Sequence, residues 1–419
     1  MKVLLKILVG ILFTQTIVAQ PVFKDATKAN RDKLYRNLVK NTITQNLSYP
    51  LTDSTEDYWQ DAFQAMELIH YKSPWIESRI DLAMTDLTQR SPAFQRALLE
   101  MAYSEFGNKY YTPVKLLLMQ TSVPKIFAMS AIYLLHTVNG PADNNFLAVK
   151  TKQLLEANKE NPILEQLLFE LSQQNKKMAI PSLQPFFDKD YLPGNVLMFS
   201  FQRSNRDYPG LVLIRDAGGN FIKSDSTYFS VSQLARSNSN MPGFLTNGNT
   251  PEGILRMEGF DQSKSSFIGP TTNVQLTMPF EMNAAHFYRD STITDTTWDI
   301  HYYKDLLPQS FKTYTPLYQS FYAGKAGRSE IIAHGTTVNP EYYFGRPYYP
   351  YTPTQGCLCT KEIWSEENGI RLVSDQQKLT DAITAAGGPH GYTIVINIDD
   401  QERPVSISDI LPFLNKAER

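Results

Sequence analysis

The hydrophobic rhythm of this chain changes once, and that change limits its fold more than any other feature. From about Asp25 to Lys177, apolar residues return every three or four positions, as in WIESRIDLAMTDL and AFQRALLEMAYSEF. That spacing lays an apolar stripe along one side of an α-helix. After Asn175, stretches such as NVLMFSFQR, GLVLIRDAGGNFI, SEIIAHG and YTIVINI take over. They alternate, or run with β-formers, and turn residues such as Asp207-Tyr208-Pro209-Gly210 separate them. The pattern predicts a multidomain α+β chain: helices over 21–185, then a mainly β domain over 190–419, joined through NKKMAIPSLQPFFDKD. A helix is expected in the β half over Asp375 to Ala386.

The helical half punctuates its starts in one style. Ser73-Pro74, Ser91-Pro92, Thr112-Pro113 and Asn161-Pro162 each set a capping side chain before a proline. The cap satisfies a free helix N–H, and the proline sits where its missing N–H costs nothing. Starts near 54, 73, 91, 112, 123, 141 and 161 are spaced by one short helix and a turn. Stacked, solenoid-like helical hairpins fit that spacing. Ser122 and Lys125 form S-x-x-K, a serine-nucleophile signature, but Pro124 lies inside it and no K-T-G follows. Ser122 therefore reads as a helix cap.

The first residues, MKVLLKILVGILFTQTIVAQ, place Lys2 and Lys6 before an apolar run from Ile7 to Phe13, with the small Ala19 after it. This is the pattern of a secretory signal peptide over 1–19; an uncleaved anchor is the alternative. The mature chain is expected outside the cytoplasm. No later stretch is long and apolar enough to span a bilayer. The formal charge of -2 requires no large basic surface, which argues against nucleic acid as a partner.

Export makes the cysteines informative. The chain has only two, Cys357 and Cys359. Two cysteines in so long a chain are not a disulfide framework. His286, His301 and His390 are scattered and form no zinc spacing with them, so neither metal nor cofactor is expected. A Cys357–Cys359 bridge, possible as an oxidised resting form, would close a small, strained ring. A nucleophile remains. His334 ends the run Ile331-Ile332-Ala333 and is followed by Gly335-Thr336, so a strand would deliver an imidazole to a rim. Cys357 follows Gly356. A thiol attacks as thiolate, and a nearby histidine is the usual activator. The glycine lets a carbonyl approach and leaves the Cys357 N–H free for an oxyanion. Taken singly, the histidine reads as a core residue and the cysteine as a small buried one; together they read as a site. Between them lies TVNPEYYFGRPYYPYTP, with Tyr342, Tyr343, Phe344, Tyr348, Tyr349 and Tyr351. It could be an aromatic-walled lid or a loop packed on the sheet edge.

These residues resemble the L,D-transpeptidases, or YkuD-like domains, cysteine enzymes of bacterial peptidoglycan. The family pattern is His-Gly, a loop, then Ser/Thr-His-Gly-Cys, an aliphatic residue and usually Arg. This chain has His334-Gly335, then Thr354-Gln355-Gly356-Cys357-Leu358-Cys359. A T-P-x-G segment upstream is matched by Thr250, Pro251 and Gly253, and Met278-Pro279-Phe280 is a weaker echo. The resemblance covers about 210 to 400 and leaves the helical half uncovered. It implies a YkuD-type β-sandwich, with Cys357 attacking a carbonyl of a peptidoglycan stem peptide. His334 would be the base, and N–H groups near Gly356 and Cys357 would hold the oxyanion. Gly335, Thr336, Thr354, Gln355, Arg346, Tyr349 and Tyr351 are the expected substrate-binding residues around them.

Two departures stand out. Gln355 replaces the family histidine and cannot titrate, and Cys359 replaces the arginine. Arg346 or Arg371 is the expected source of the missing cation. Three readings stay open: transfer to an amine, hydrolysis as a carboxypeptidase or amidase, and a non-catalytic wall-binding scaffold. The helical half is expected to hold a protein partner or the wall.

Overall fold

The computed structural model describes residues 20–136, 144–173, 178–294 and 297–417; the expected signal peptide over 1–19 and the helix start near 141 lie outside them. The helical half contains α1 (Lys28–Asn37), which continues as a π-helical segment Leu38–Gln45 into α2 (Asn46–Ser48). Then follow α3 (Glu56–Ile69), α4 (Pro74–Thr85), α5 (Pro92–Glu105), α6 (Tyr111–Gln120), α7 (Pro124–Leu135), α8 (Asn144–Ala157) and α9 (Pro162–Gln173). Ser73 and Ser91 accept from the N–H groups of Ile76 and Phe94, and Asn161 accepts from Ile163 and Leu164, so three of the expected caps form. Thr112 does not cap: α6 begins one residue before it, at Tyr111. Ser122 does not cap either, because the residue flanking α7 is the extended Val123, which places Ser122 one residue too early. Lys125 donates instead to Thr246 Oγ1 at 2.8 Å. Alternate helices α3, α5, α7 and α9 pack in succession, with α6 on α7 and α8 on α9.

Among the described residues the β half has twelve strands: β1 (Val196–Arg203), β2 (Gly210–Arg215), β3 (Lys223–Ser224), β4 (Thr227–Tyr228), β5 (Val231–Leu234), β6 (Gly253–Asp261), β7 (Asn273–Thr277), β8 (Ile332–His334), β9 (Leu358–Thr360), β10 (Glu362–Trp364), β11 (Arg371–Ser374) and β12 (Gly391–Asp399). Where the resemblance implies a sandwich, eight of them close into one barrel, in the order β1-β12-β6-β7-β8-β9-β5-β2. The pairs β1–β12 and β8–β9 are parallel and the others antiparallel. The apolar run of β1 follows from burial on both faces. Val196 and Met198 join a core fed by all eight barrel strands, while Leu197, Phe199 and Phe201 join a second, aromatic core. The expected helix over 375–386 is present as Asp375–Ala385, capped by Ser374, and the β half also holds helices at Ala284–Tyr288, Ile300–Asp305, Gln319–Lys325 and Ile407–Ala417 that the sequence rhythm did not mark.

The halves are not beads on a linker. Met241, Phe244 and Leu245, from the loop after β5, are buried in the core of the helical half. At the other end, the Lys28 N–H donates to the Glu366 carbonyl at 2.8 Å and the Arg371 N–H to the Pro21 carbonyl at 3.0 Å. No helix among the described residues is long and apolar enough to cross a membrane.

Candidate active site

The parallel β8–β9 ladder pairs Ala333 with Leu358 and His334 with Cys359. Paired residues share a face, and successive residues alternate. Ala333 and Leu358 both enter the barrel-strand core, so His334 and Cys359 face the other way. Cys357 lies two residues before Cys359, and the same parity returns it to the face of His334. The two residues line one cavity of about 390 Å³.

Local bonds shape the turn that carries the thiol. Thr354 Oγ1 accepts from the Gly356 N–H and donates to the Cys357 carbonyl, both at 3.0 Å. Thr250 Oγ1 donates to the Gly356 carbonyl at 2.9 Å. The T-P-x-G segment thus braces the turn that carries Cys357. Gly356 has φ +113°, and a Cβ there would lie 1.9 Å from Arg328 Nη2. Only glycine fits on both counts. Because its N–H is engaged by Thr354, Gly356 does not offer the expected oxyanion donor. The Cys357 N–H makes no hydrogen bond among the described residues.

His334 is oriented by its own neighbour. Its Nδ1 bonds the Gly335 carbonyl. A carbonyl can only accept, so Nδ1 carries the proton and Nε2 keeps its lone pair. Gly335 supports the site without lining the cavity: a Cβ there would lie 2.2 Å from Cδ of the buried Glu362. Burial lowers the His334 pKa to about 4. Burial also pushes the Cys357 thiol up, against the pull of the Ile332 N–H and the Arg328 charge. At neutral pH the site therefore holds a thiol and a neutral imidazole, not an ion pair. Cys359 is buried, and its pKa is pushed up to about 12 by that burial. Both thiols are free. Cys359 contacts Thr352 Oγ1 at 3.7 Å and fills a core position.

The cation beside Cys357 is neither of the arginines expected from the sequence. Arg346 is exposed and makes no side-chain hydrogen bond or salt bridge among the described residues. Arg371 binds Thr271 Oγ1 at 2.9 Å and Gln377 Oε1 at 3.1 Å, in the β10–β11 region. Arg328 takes the place. It is buried, pressed against Gly356, and donates to the carbonyls of Gly243, Leu245, Gly248 and Asn249. Burial lowers its pKa to about 10, which leaves it charged at neutral pH. Its position shortly before the histidine run, in AGRSEIIAHG, offered no spacing signal.

Thr336, Thr354 and Gln355 line the cavity with His334 and Cys357; Tyr349, Tyr351 and Arg346 do not. The aromatic loop packs instead of closing over the thiol. Tyr343 and Tyr348 are buried, with the Tyr343 hydroxyl donating to the Leu68 carbonyl at 2.9 Å and the Arg236 guanidinium 4.7 Å from the Tyr348 ring. Tyr349 is at the surface, bonded to Glu341 at 2.8 Å. Sequence reasoning missed the opposite wall. Leu38, Thr42, Asp61, Gln64, Ala65 and Leu68 of the helical half line the same cavity. On α3, the residues at 61, 64, 65 and 68 form one helical face, while Trp59, Ala62, Phe63 and Met66 enter the helical core. Ala65 and Leu68 also contact the helical core, so periodicity alone gave no separate signal for this wall.

Fold and site together define a cysteine–histidine cleft at the join of a closed β-barrel and a helical region. Compared with protein-family models, curated proteins and solved structures, the chain matches none.

Proposed function

We propose that this chain is an exported cysteine acyltransferase of the L,D-transpeptidase type, acting on peptidoglycan stem peptides in the periplasm. The observation that carries the reading is the shared cavity of Cys357 and His334, with the imidazole held so that Nε2 is the free base. The YkuD-like assignment rests on the His-Gly, Gly-Cys and T-P-x-G residues, to which the Thr250–Gly356 bond gives a physical role.

The chemistry follows from the protonation states. His334 Nε2 takes the Cys357 proton as sulfur attacks the peptide carbonyl. The carbonyl oxygen becomes an oxyanion facing the Cys357 N–H, with Arg328 adding positive potential from beneath. Collapse breaks the C–N bond, and the imidazolium returns its proton to the departing amine. The thioester then passes to an acceptor amine, whose proton goes to His334, and the freed thiolate is reprotonated. Water in place of the amine gives stem trimming.

The test is intact-mass measurement after exposure to a carbapenem or a thiol-reactive probe. A single adduct on the wild type and none on Cys357→Ala supports the nucleophile. No adduct on either moves the assignment to a wall-binding scaffold. With purified muropeptides, new cross-links mean transfer, and shortened stems alone mean hydrolysis.

A further inference from the structure

A second cavity, of about 1000 Å³, lies between the two halves and shares no lining residue with the Cys357 cavity. That volume is the upper end of the range for small-molecule pockets. On α9, Ile163, Leu164, Leu167 and Leu171 enter the helical core. Gln166, Phe169 and Glu170, three and four residues apart, form a different face, and that face lines the cavity. Gln166 is 2% exposed, yet its amide makes no hydrogen bond among the described residues. Glu170 has neither a hydrogen bond nor a salt bridge among them, and burial alone pushes its carboxyl up to about 7. The hydroxyls of Tyr103, from α5, and of the buried Tyr314, from the β half, are also unbonded and line the same space. Phe169 joins none of the hydrophobic cores and pairs with no other ring among the described residues. Buried polar groups left unpaired beside a roomy cavity call for a partner from outside the chain.

The charges of the lining are mostly settled within the protein. Asp207 pairs with Arg236 and Asp399 with Arg203, both at 2.5 Å. Glu252 accepts from the Asn397 N–H at 3.0 Å and from its Nδ2 at 2.6 Å. Arg206 is buried and donates to the Arg203 carbonyl at 3.2 Å, and burial lowers His136 below its ordinary value. Asp400 and Glu402 are exposed. The free groups inside are therefore donors and acceptors, not unpaired ions. A hydroxyl serves both kinds, and a flat ring face suits Phe169.

We propose that this second cavity binds a neutral saccharide, whose hydroxyls meet Gln166, Glu170, Tyr103 and Tyr314 while one sugar ring lies on Phe169. The helical half then supplies a ligand site of its own, and that site stands whether or not Cys357 forms an acyl-enzyme.

Isothermal titration calorimetry on the intact chain at pH 7 tests this with chitotriose and cellotriose as neutral saccharides, spermidine as a cation and N-acetyl-trialanine amide as a neutral peptide. The wild type is expected to bind at least one saccharide, and to bind it more tightly than spermidine or the peptide. Gln166→Leu, which keeps the volume of the side chain, and Phe169→Ala, at a position outside every core, should each weaken that binding by about tenfold, the size of one hydrogen bond or one ring contact. Glu170→Gln keeps an acceptor and should weaken it by less than about threefold. Melting curves confirm that each variant is folded. Cys357→Ala should bind the saccharide as the wild type does, which separates this site from the reactive cavity; loss of binding in that variant overturns the proposal. So does a wild type that binds neither saccharide, an affinity that neither Gln166→Leu nor Phe169→Ala reduces, or tighter binding of spermidine or the peptide.

Discussion

The Thr250 hydroxyl donates to the Gly356 carbonyl at 2.9 Å, joining a segment just before β6 to the turn that presents Cys357. Thr250 is fully buried, so the carbonyl it serves has no water to replace it. The Cys357 turn is thereby held from outside its own local sequence.

Removing that hydroxyl should loosen the turn. Thr250→Val leaves a buried carbonyl unpaired, a cost of about 1–3 kcal/mol. Acylation of Cys357 should slow by roughly tenfold, as misplacement of a positioned nucleophile does. Thr250→Ser should restore most of the rate. Stopped-flow acylation of the three proteins checks it; equal rates in Val and wild type would leave Thr250 without this role.

Gly356→Ala should be more severe. The new methyl would meet Arg328 Nη2, and the residue would sit at a φ that L side chains rarely adopt. Loss of more than about 2 kcal/mol of stability is expected from strain and overpacking together. Arg328→Met should cost on the order of 3 kcal/mol or more, because four loop carbonyls lose a charged donor. Arg328→Lys should recover only part, since an ammonium lacks the forked geometry. Denaturant midpoints for each variant read these effects.

The pH dependence of thiol reactivity should lack a neutral plateau. His334 is held at about 4 by burial, and burial raises the Cys357 thiol, so neither is charged between pH 5 and 8. Iodoacetamide alkylation should therefore climb steadily with pH toward the alkaline range. A level profile across pH 5 to 8 would indicate a resting thiolate–imidazolium pair instead.

Stability should fall from pH 5 to pH 8. Glu100, Glu170 and Glu252 are each raised to about 7 by burial, and Glu67 is raised well above its ordinary value by burial and by Glu100 and Glu105. A carboxylate raised in the folded state contributes stability that is fully present below its unfolded pKa and is lost as pH rises through the folded value. The lost stability thus falls between about 4.5 and the region above 7. Asp409, held low by Arg403 and Ser406, is ionised throughout that window and adds no slope. The melting temperature should drop by several degrees between pH 5 and 8, and Glu100→Gln should flatten the drop. A melting temperature that rises over this range would contradict the assignment.

The sequence by itself determined the elements whose cause is local. The three-to-four spacing marks the helices, with Ser73, Ser91 and Asn161 as their caps, and the apolar runs of β1 and β12 mark strands buried on both faces. His334-Gly335 and Gly356-Cys357 stood out as residue pairs, although what excludes a side chain at each glycine comes from afar: a Cβ would meet Glu362 at 335 and Arg328 at 356. Thr112 and Ser122 misled because a one-residue shift in a helix start depends on packing and is invisible to composition. Only the tertiary structure decided that the sheet closes as a barrel, that the tyrosine loop packs against α3, and that Arg328 supplies the cation. It also decided that Asp61 reaches the wall facing the thiol. These are pairings between distant segments, as with Thr250 and Gly356 at a sequence separation of 106. Periodicity reports which face of an element is apolar, and says nothing of which other element will cover it.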